Sequence, residues 1–213
     1  AHDKRCKGVT IYRDGCRDGV MVQNSEPSTS GNVEHSAVKR PKTVECEIIR
    51  FTNNKEKWIA FIGVIDNRPY EIFTGIAEKF NIPTYVEHGV INRVKTKGME
   101  HGRYDLIYKD DDGYEVSVEG ISRICNVEYY NYGKLISGVL RHGMPIHNVV
   151  EMISSLTFND DSIATWQSGV VRAMKKFIKN GTVEKEKCPE CGAYLVFEDG
   201  CVHCSSCSYS RCG

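Results

Sequence analysis

Long apolar runs are missing from this 213-residue chain. The longest, Trp58-Ile-Ala-Phe-Ile-Gly-Val-Ile65, has the length of a strand and falls short of the roughly 18 residues a membrane helix needs, so no membrane partner is expected. Net charge is missing as well: 28 Lys and Arg balance 28 Asp and Glu. No global field steers the chain onto a polyanion, which argues against nucleic acid. Proline is scarce, at six residues, and glycine follows no fixed period, which excludes a collagenous repeat. With 40% hydrophobic residues the chain has enough material for one or two small cores. The opening residues, Ala1-His-Asp-Lys-Arg5, contain no initiator Met and no apolar signal core, so a fragment or processed piece in the cytoplasm is the default expectation.

Composition divides the chain. Residues 1–24 hold two short apolar segments, Gly8-Val-Thr-Ile-Tyr12 and Gly19-Val-Met-Val22, too little for a core of their own. Residues 25–40 have linker composition. From 41 to 182 the pattern first reads as strands: 44–51, 57–65, 70–74, 90–96, 103–108 and the alternating Tyr114-Glu-Val-Ser-Val-Glu119, whose acidic positions predict a sheet with one solvated face. Beyond residue 125 the period turns helical. Tyr132, Leu135, Ile136, Val139 and Leu140 share one face, and Pro145 opens a second helix carrying Ile146, Val149, Val150, Ile153 and Leu156. A third helix is expected from the caps at Asn159-Asp-Asp161, with Ile163, Trp166, Val170, Met174, Phe177 and Ile178 in a stripe, to a stop at Asn180-Gly181. Strands first and helices second predict an α+β fold, an antiparallel sheet followed by a three-helix segment, with a small zinc ribbon over 183–213.

Ten cysteines are present, and six crowd the end of the chain: Cys188-Pro-Glu-Cys191, Cys201-Val-His-Cys204-Ser-Ser-Cys207 and Cys212. Without a signal peptide, metal binding is a better reading than a disulfide framework. Two Cys-x-x-Cys knuckles present four thiolates with backbone amides aimed at the sulfurs, the requirement of a structural Zn2+ site. Ala193-Tyr-Leu-Val-Phe197 and the turn Glu198-Asp-Gly200 lie between them. A segment with so little core takes most of its folding free energy from the metal and is expected to unfold without it. Two pairings are open. Cys188/Cys191 with Cys204/Cys207 leaves Cys201 and Cys212 spare; Cys188/Cys191 with Cys201/Cys204 leaves Cys207 and Cys212. Small residues after Cys191 and Cys207 favour the first. The spare thiols are either inert or a redox pair, since disulfide exchange needs an exposed sulfur, a resolving thiol and mobility.

Several stretches, taken in order, resemble the end of the adenosylcobalamin-dependent (class II) ribonucleotide reductases. They are Arg5-Cys-Lys-Gly-Val-Thr-Ile-Tyr-Arg-Asp-Gly15, Arg40-Pro-Lys42, Glu56-Lys-Trp58, Arg68-Pro-Tyr-Glu-Ile-Phe-Thr-Gly75, Leu140-Arg-His-Gly-Met-Pro-Ile146 and the closing Cys201 to Cys212 segment. The resemblance implies that residues 1–24 end a catalytic barrel and that the middle is similar to a TSCPD domain. It further implies that Cys201 and Cys212 carry reducing equivalents from thioredoxin or glutaredoxin to a disulfide in the barrel, with Cys188, Cys191, Cys204 and Cys207 on zinc. A Cys207/Cys212 shuttle stays open. Adenosylcobalamin and the radical cysteine belong to the barrel, so this segment alone is expected to be inactive. Cys16 stands where the family pattern expects Ser, a swap that hardly changes volume.

Other chemistry-bearing residues have plainer readings. Cys46 and Cys125 sit singly among apolar neighbours and read as core. His142 and His147 flank a turn without accompanying carboxylates, and six thiols compete with His203 for any metal. Asp110-Asp-Asp-Gly113 lacks the rest of a calcium loop and reads as a hairpin turn, and Lys175-Lys-Phe-Ile-Lys179 as the cationic end of a helix. The alternative function is a ribbon without redox role that serves as an interaction module or binds nucleic acid; against the latter, 188–213 carries one cation, Arg211, beside Glu190, Glu198 and Asp199.

Overall fold

The computed structural model describes residues 36–95, 102–158 and 165–212. The barrel-end segment 1–24, most of the linker, and the caps expected at Asn159-Asp-Asp161 lie outside the described residues, as do Ile163 and the side chain of Cys212.

Six strands form one antiparallel sheet in the order β3-β2-β1-β4-β5-β6: β1 (Thr43–Asn53), β2 (Glu56–Ile65), β3 (Arg68–Ile76), β4 (His88–Val94), β5 (Arg103–Lys109) and β6 (Glu115–Val118). Asn54-Lys55 and Asp66-Asn67, all at positive φ, close the first two hairpins, a conformation that Asn54, Asp66 and Asn67 tolerate through their short polar side chains. Four helices follow: α1 (Ile121–Ile124), α2 (Val127–Arg141), α3 (Ile146–Ser154) and α4 (Trp166–Lys175). A second antiparallel sheet, β10-β9-β8-β7, ends the chain with β7 (Val183–Lys187), β8 (Tyr194–Glu198), β9 (Cys201–Cys204) and β10 (Ser210–Cys212). The class is α+β, as the sequence pattern predicts.

Period-two alternation sorts the first sheet's side chains onto two faces, and along β1–β3 both are buried. Ile49, Phe51, Trp58, Ala60, Ile62 and Ile72 pack under α2, α3 and α4. Cys46, Ile48, Ile59, Phe61 and Phe73 pack with Phe80, Ile91, Leu106 and Ile121 on the other face. The expected solvated face lies over the β4–β6 half of the sheet, where His88, Lys109, Glu115 and Ser117 are exposed and Val90, Asn92 and Ile107 half-buried on one side. The run Trp58–Ile65 lacks polar alternation because it is a strand covered twice.

Trp166 is the keystone of the helical layer. It is 2% exposed, donates its indole N–H to Thr74 Oγ1 at 2.9 Å, and is ringed by Tyr129, Tyr132 and Phe158. Its helix starts at a capping box, Thr165 with Ser168, and Gly169 presses so close to Phe51 that a Cβ there would run into the ring. Leu135, expected on the buried stripe of α2, is 71% exposed; Gly133, Ile136, Ser137 and Leu140 face the sheet instead. Helix α4 also ends earlier than the Asn180-Gly181 signal implies. Those two residues join the second sheet: Gly181 donates its N–H to the Phe197 carbonyl at 2.7 Å, and Asn180 exchanges hydrogen bonds with Asp199. Cys188, Leu195, Phe197 and Val202 of the second sheet are part of the same buried cluster as the helices.

Candidate metal centre

Two turns bring four sulfurs together. In the first, Gly192 donates its N–H to the Cys188 carbonyl at 2.9 Å and Cys188 donates to the Ala193 carbonyl at 2.9 Å, which folds Cys191 back beside Cys188. In the second, β9 ends at Cys204, and the chain turns through Ser205 and Ser206 to present Cys207. The Ser205 N–H and hydroxyl both donate to the Tyr194 carbonyl, tying this turn to β8. The Sγ atoms of Cys188, Cys191, Cys204 and Cys207 all lie within 4.8 Å of one another.

The spacing matches what a tetrahedral ion requires. Cys188–Cys207 and Cys191–Cys204 are separated by 3.6 and 3.4 Å between sulfurs, close to the edge of about 3.8 Å that four Zn–S bonds of about 2.3 Å would give. These four cysteines are free thiols, so a metal ion such as zinc is the group they fit. Ser206 donates its backbone N–H to Cys204 Sγ at 3.4 Å, the amide-to-sulfur contact that favours a thiolate. That bond is the largest cause drawing the Cys204 thiol down to about 6, helped by the neighbouring Cys191. Cys207 moves the other way, to about 12: a backbone hydrogen bond at Tyr209 lowers it, but burial and hydrogen bonding to Cys204 and Cys188 outweigh that. Without a metal, the four thiols share protons; a divalent cation replaces those protons as counter-charge.

The remaining C-terminal cysteines behave differently. Cys201 is disulfide-bonded, and in the β9–β10 register its partner position across the strands is Cys212. The second pairing considered from sequence, with Cys201 and Cys204 as ligands, is not the arrangement of the described sulfurs, since Cys207 and not Cys201 joins the group. His203 pairs in register with Val196 and Ser210 and joins no metal group, nor do His142 and His147 among the described residues. Asp110 Oδ1 accepts N–H bonds from Asp112 and Tyr114, a hairpin turn. Cys46 and Cys125 are buried, and burial pushes both thiols up, Cys125 to about 12.

A buried ion cluster went unread in the sequence. Glu71, fully buried in β3, accepts from Arg40 Nε at 2.8 Å and Arg141 Nη2 at 3.0 Å. Three of the stretches that carry the family resemblance thus meet at one carboxylate. The only sequence signal was a Glu inside an apolar strand, which period-two reading assigns to solvent.

Compared with known families, residues 44–179 match the model of the NrdJ homologue C-terminal domain. The chain belongs to that family. Membership is consistent with a C-terminal region related to that of the class II ribonucleotide reductases, and the match covers the six-stranded sheet and the helices but ends before the first metal-centre cysteine. Neither the curated proteins nor the solved structures include a match to the chain.

Proposed function

We propose that this NrdJ-related chain is the C-terminal, TSCPD-like part of a cytoplasmic adenosylcobalamin-dependent ribonucleotide reductase and relays reducing equivalents to its catalytic barrel through Cys201 and Cys212. The observation that carries the reading is the division of labour at the ribbon. Cys188, Cys191, Cys204 and Cys207 form a closed set of four sulfurs, while Cys201 stands apart in a disulfide opposite Cys212 in register. Zinc on four thiolates has no open position, so it would staple the turns and take no part in exchange.

In the relay, one reduced thiolate of the pair attacks the barrel disulfide and forms a mixed disulfide. The second thiolate then attacks its partner's sulfur and releases the barrel dithiol. Two electrons pass to the barrel, which takes up two protons, and the Cys201–Cys212 disulfide forms. A thioredoxin or glutaredoxin dithiol reverses that last bond and leaves as a disulfide. The segment reduces no nucleotide by itself, because cobalamin and the radical cysteine belong to the barrel.

Zinc analysis combined with differential alkylation mass spectrometry, before and after thioredoxin, tests the reading. One zinc, four protected thiols and a thioredoxin-sensitive Cys201–Cys212 disulfide are expected. A disulfide that joins Cys207 to Cys212 would reassign the shuttle, and Cys201 and Cys212 both permanently reduced would leave the ribbon a structural staple.

A further inference from the structure

The six-stranded sheet carries a second site that the redox reading leaves unused. A cavity of about 650 Å³ lies between the Ile72-Phe73 stretch of β3, Tyr104 of β5, and helices α1 and α2, within the size range of small-molecule sites. Its charged walls have one sign: Arg93, Arg123, Lys134 and Arg141 line it, and no Asp or Glu among the described residues does. In a chain with zero net charge, this is a local concentration of cations. The carboxylate nearest Arg141, Glu71, also serves Arg40, so one anion faces two guanidinium groups. On the neighbouring β5, Arg103 is matched by Asp105 and Glu119.

Rings line the cavity beside the cations. Phe73 packs 5.1 Å from Tyr104 and stacks 6.3 Å from Tyr130 between centroids. Lys134 Nζ sits 4.4 Å above the Tyr130 ring and the Arg93 guanidinium 5.9 Å from Tyr104. Arg141 Nε supplies an independent sign: it is buried without a hydrogen-bond partner, a donor left unsatisfied until an acceptor reaches it. Arginine forks match phosphate oxygens, and the half-buried Tyr104 and Tyr130 rings, with Arg40 and Arg93 over the first and Lys134 over the second, add apolar surface beside them.

We propose that this cavity binds a nucleoside phosphate, with its phosphates against Arg93, Lys134 and Arg141 and its base against Tyr104 and Tyr130. The proposal stands on the sheet domain alone and does not depend on the redox role of the ribbon. A bounded cavity in a neutral chain suits a single nucleotide better than a strand, which needs a cationic groove running across the surface.

Calorimetric titration of the metal-loaded full chain tests it, with ATP, inorganic triphosphate, adenosine and an oligothymidylate as probes. Saturable binding of one ATP per chain is expected, with each half-probe weaker. Lys134→Glu should weaken ATP about tenfold or more, while Lys176→Glu on the exposed end of α4 leaves it unchanged. If the circular dichroism of the Lys134→Glu chain shows misfolding, Lys134→Ala reads the same contact. No saturation at millimolar ATP, equal affinity in the Lys134 variant, or an oligothymidylate that outcompetes ATP would each overturn the proposal.

Discussion

Along β1–β3 the six-stranded sheet is buried on both faces, whereas the four-stranded sheet and its turns bury Cys188, Leu195, Phe197 and Val202 in the core, with Cys204, Cys207 and Tyr209 packed against it, and gather four sulfurs. Both use antiparallel pairing, so backbone hydrogen bonding does not separate them. The difference is the source of stability: apolar area in the first, and in the second a docking contact plus a metal-shaped cluster of thiols. Domains with small cores commonly take such staples. The cysteines follow the same division. Cys46 and Cys125 are buried where burial keeps the thiol protonated, while the ribbon's thiols sit where backbone amides and neighbouring sulfurs shift them in both directions.

Removing the metal should break the comparison most visibly. Chelation, or Cys191→Ser with Cys204→Ser, is expected to withdraw apparent binding free energy of about 10 kcal/mol from the ribbon. Limited proteolysis should then cut within 188–212 and spare 41–182. A ribbon that stays protected without metal would mean that the docking contact of Leu195, Phe197 and Val202 suffices by itself.

The apolar half has its own test. Trp166→Ala removes the ring shared by Tyr129, Tyr132 and Phe158 and leaves the Thr74 hydroxyl without its donor, so a loss of about 5 kcal/mol is expected in urea unfolding. Metal content should be retained in the fraction that remains folded. Slightly smaller is Glu71→Gln, which leaves Arg40 and Arg141 facing a neutral amide. Removing one partner of a buried ion cluster costs about 3–5 kcal/mol. A change below about 1 kcal/mol, the range of exposed pairs, would show that solvent reaches this carboxylate.

Particular residues show how much of this was legible. The strands, the α+β class and the clustering of metal-type cysteines follow from local pattern, because alternation and Cys-x-x-Cys spacing are properties of neighbouring residues. Leu135 fits the helical stripe of Ile136 and Leu140, but the close approach of Gly133 to the Ile72 carbonyl and the Ile72 N–H donated to Ser137 Oγ set the opposite edge of α2 against the sheet. Asn180-Gly181 looked like a helix stop but serves a partner on the next sheet, which no local window contains. Glu71 and the cationic cavity draw on residues from widely separated stretches, so neither leaves a motif.

The smallest effect sharpens the contrast between the two kinds of thiol. Cys125 is buried and donates to the Ile121 carbonyl at 3.1 Å; burial lifts it from 9.0 to about 12, outweighing its hydrogen bonds to backbone. A group whose pKa is raised on folding contributes stability below its unfolded value and loses it as pH climbs through the folded one. The thiol should therefore destabilise the fold between pH 9 and about 12, by about 1.4 kcal/mol per pH unit, as the unfolded chain releases a proton that the native chain must keep. Cys46, Tyr70 and Tyr130 are raised too and add slopes of the same sign, so the informative quantity is the difference between the parent chain and Cys125→Ala. Urea unfolding at pH 9, 10 and 11 should show a shallower decline in the variant. Identical slopes would mean that the Cys125 thiol ionises in the native fold as readily as in the unfolded chain, and burial would then not be what separates it from the sulfurs of the ribbon.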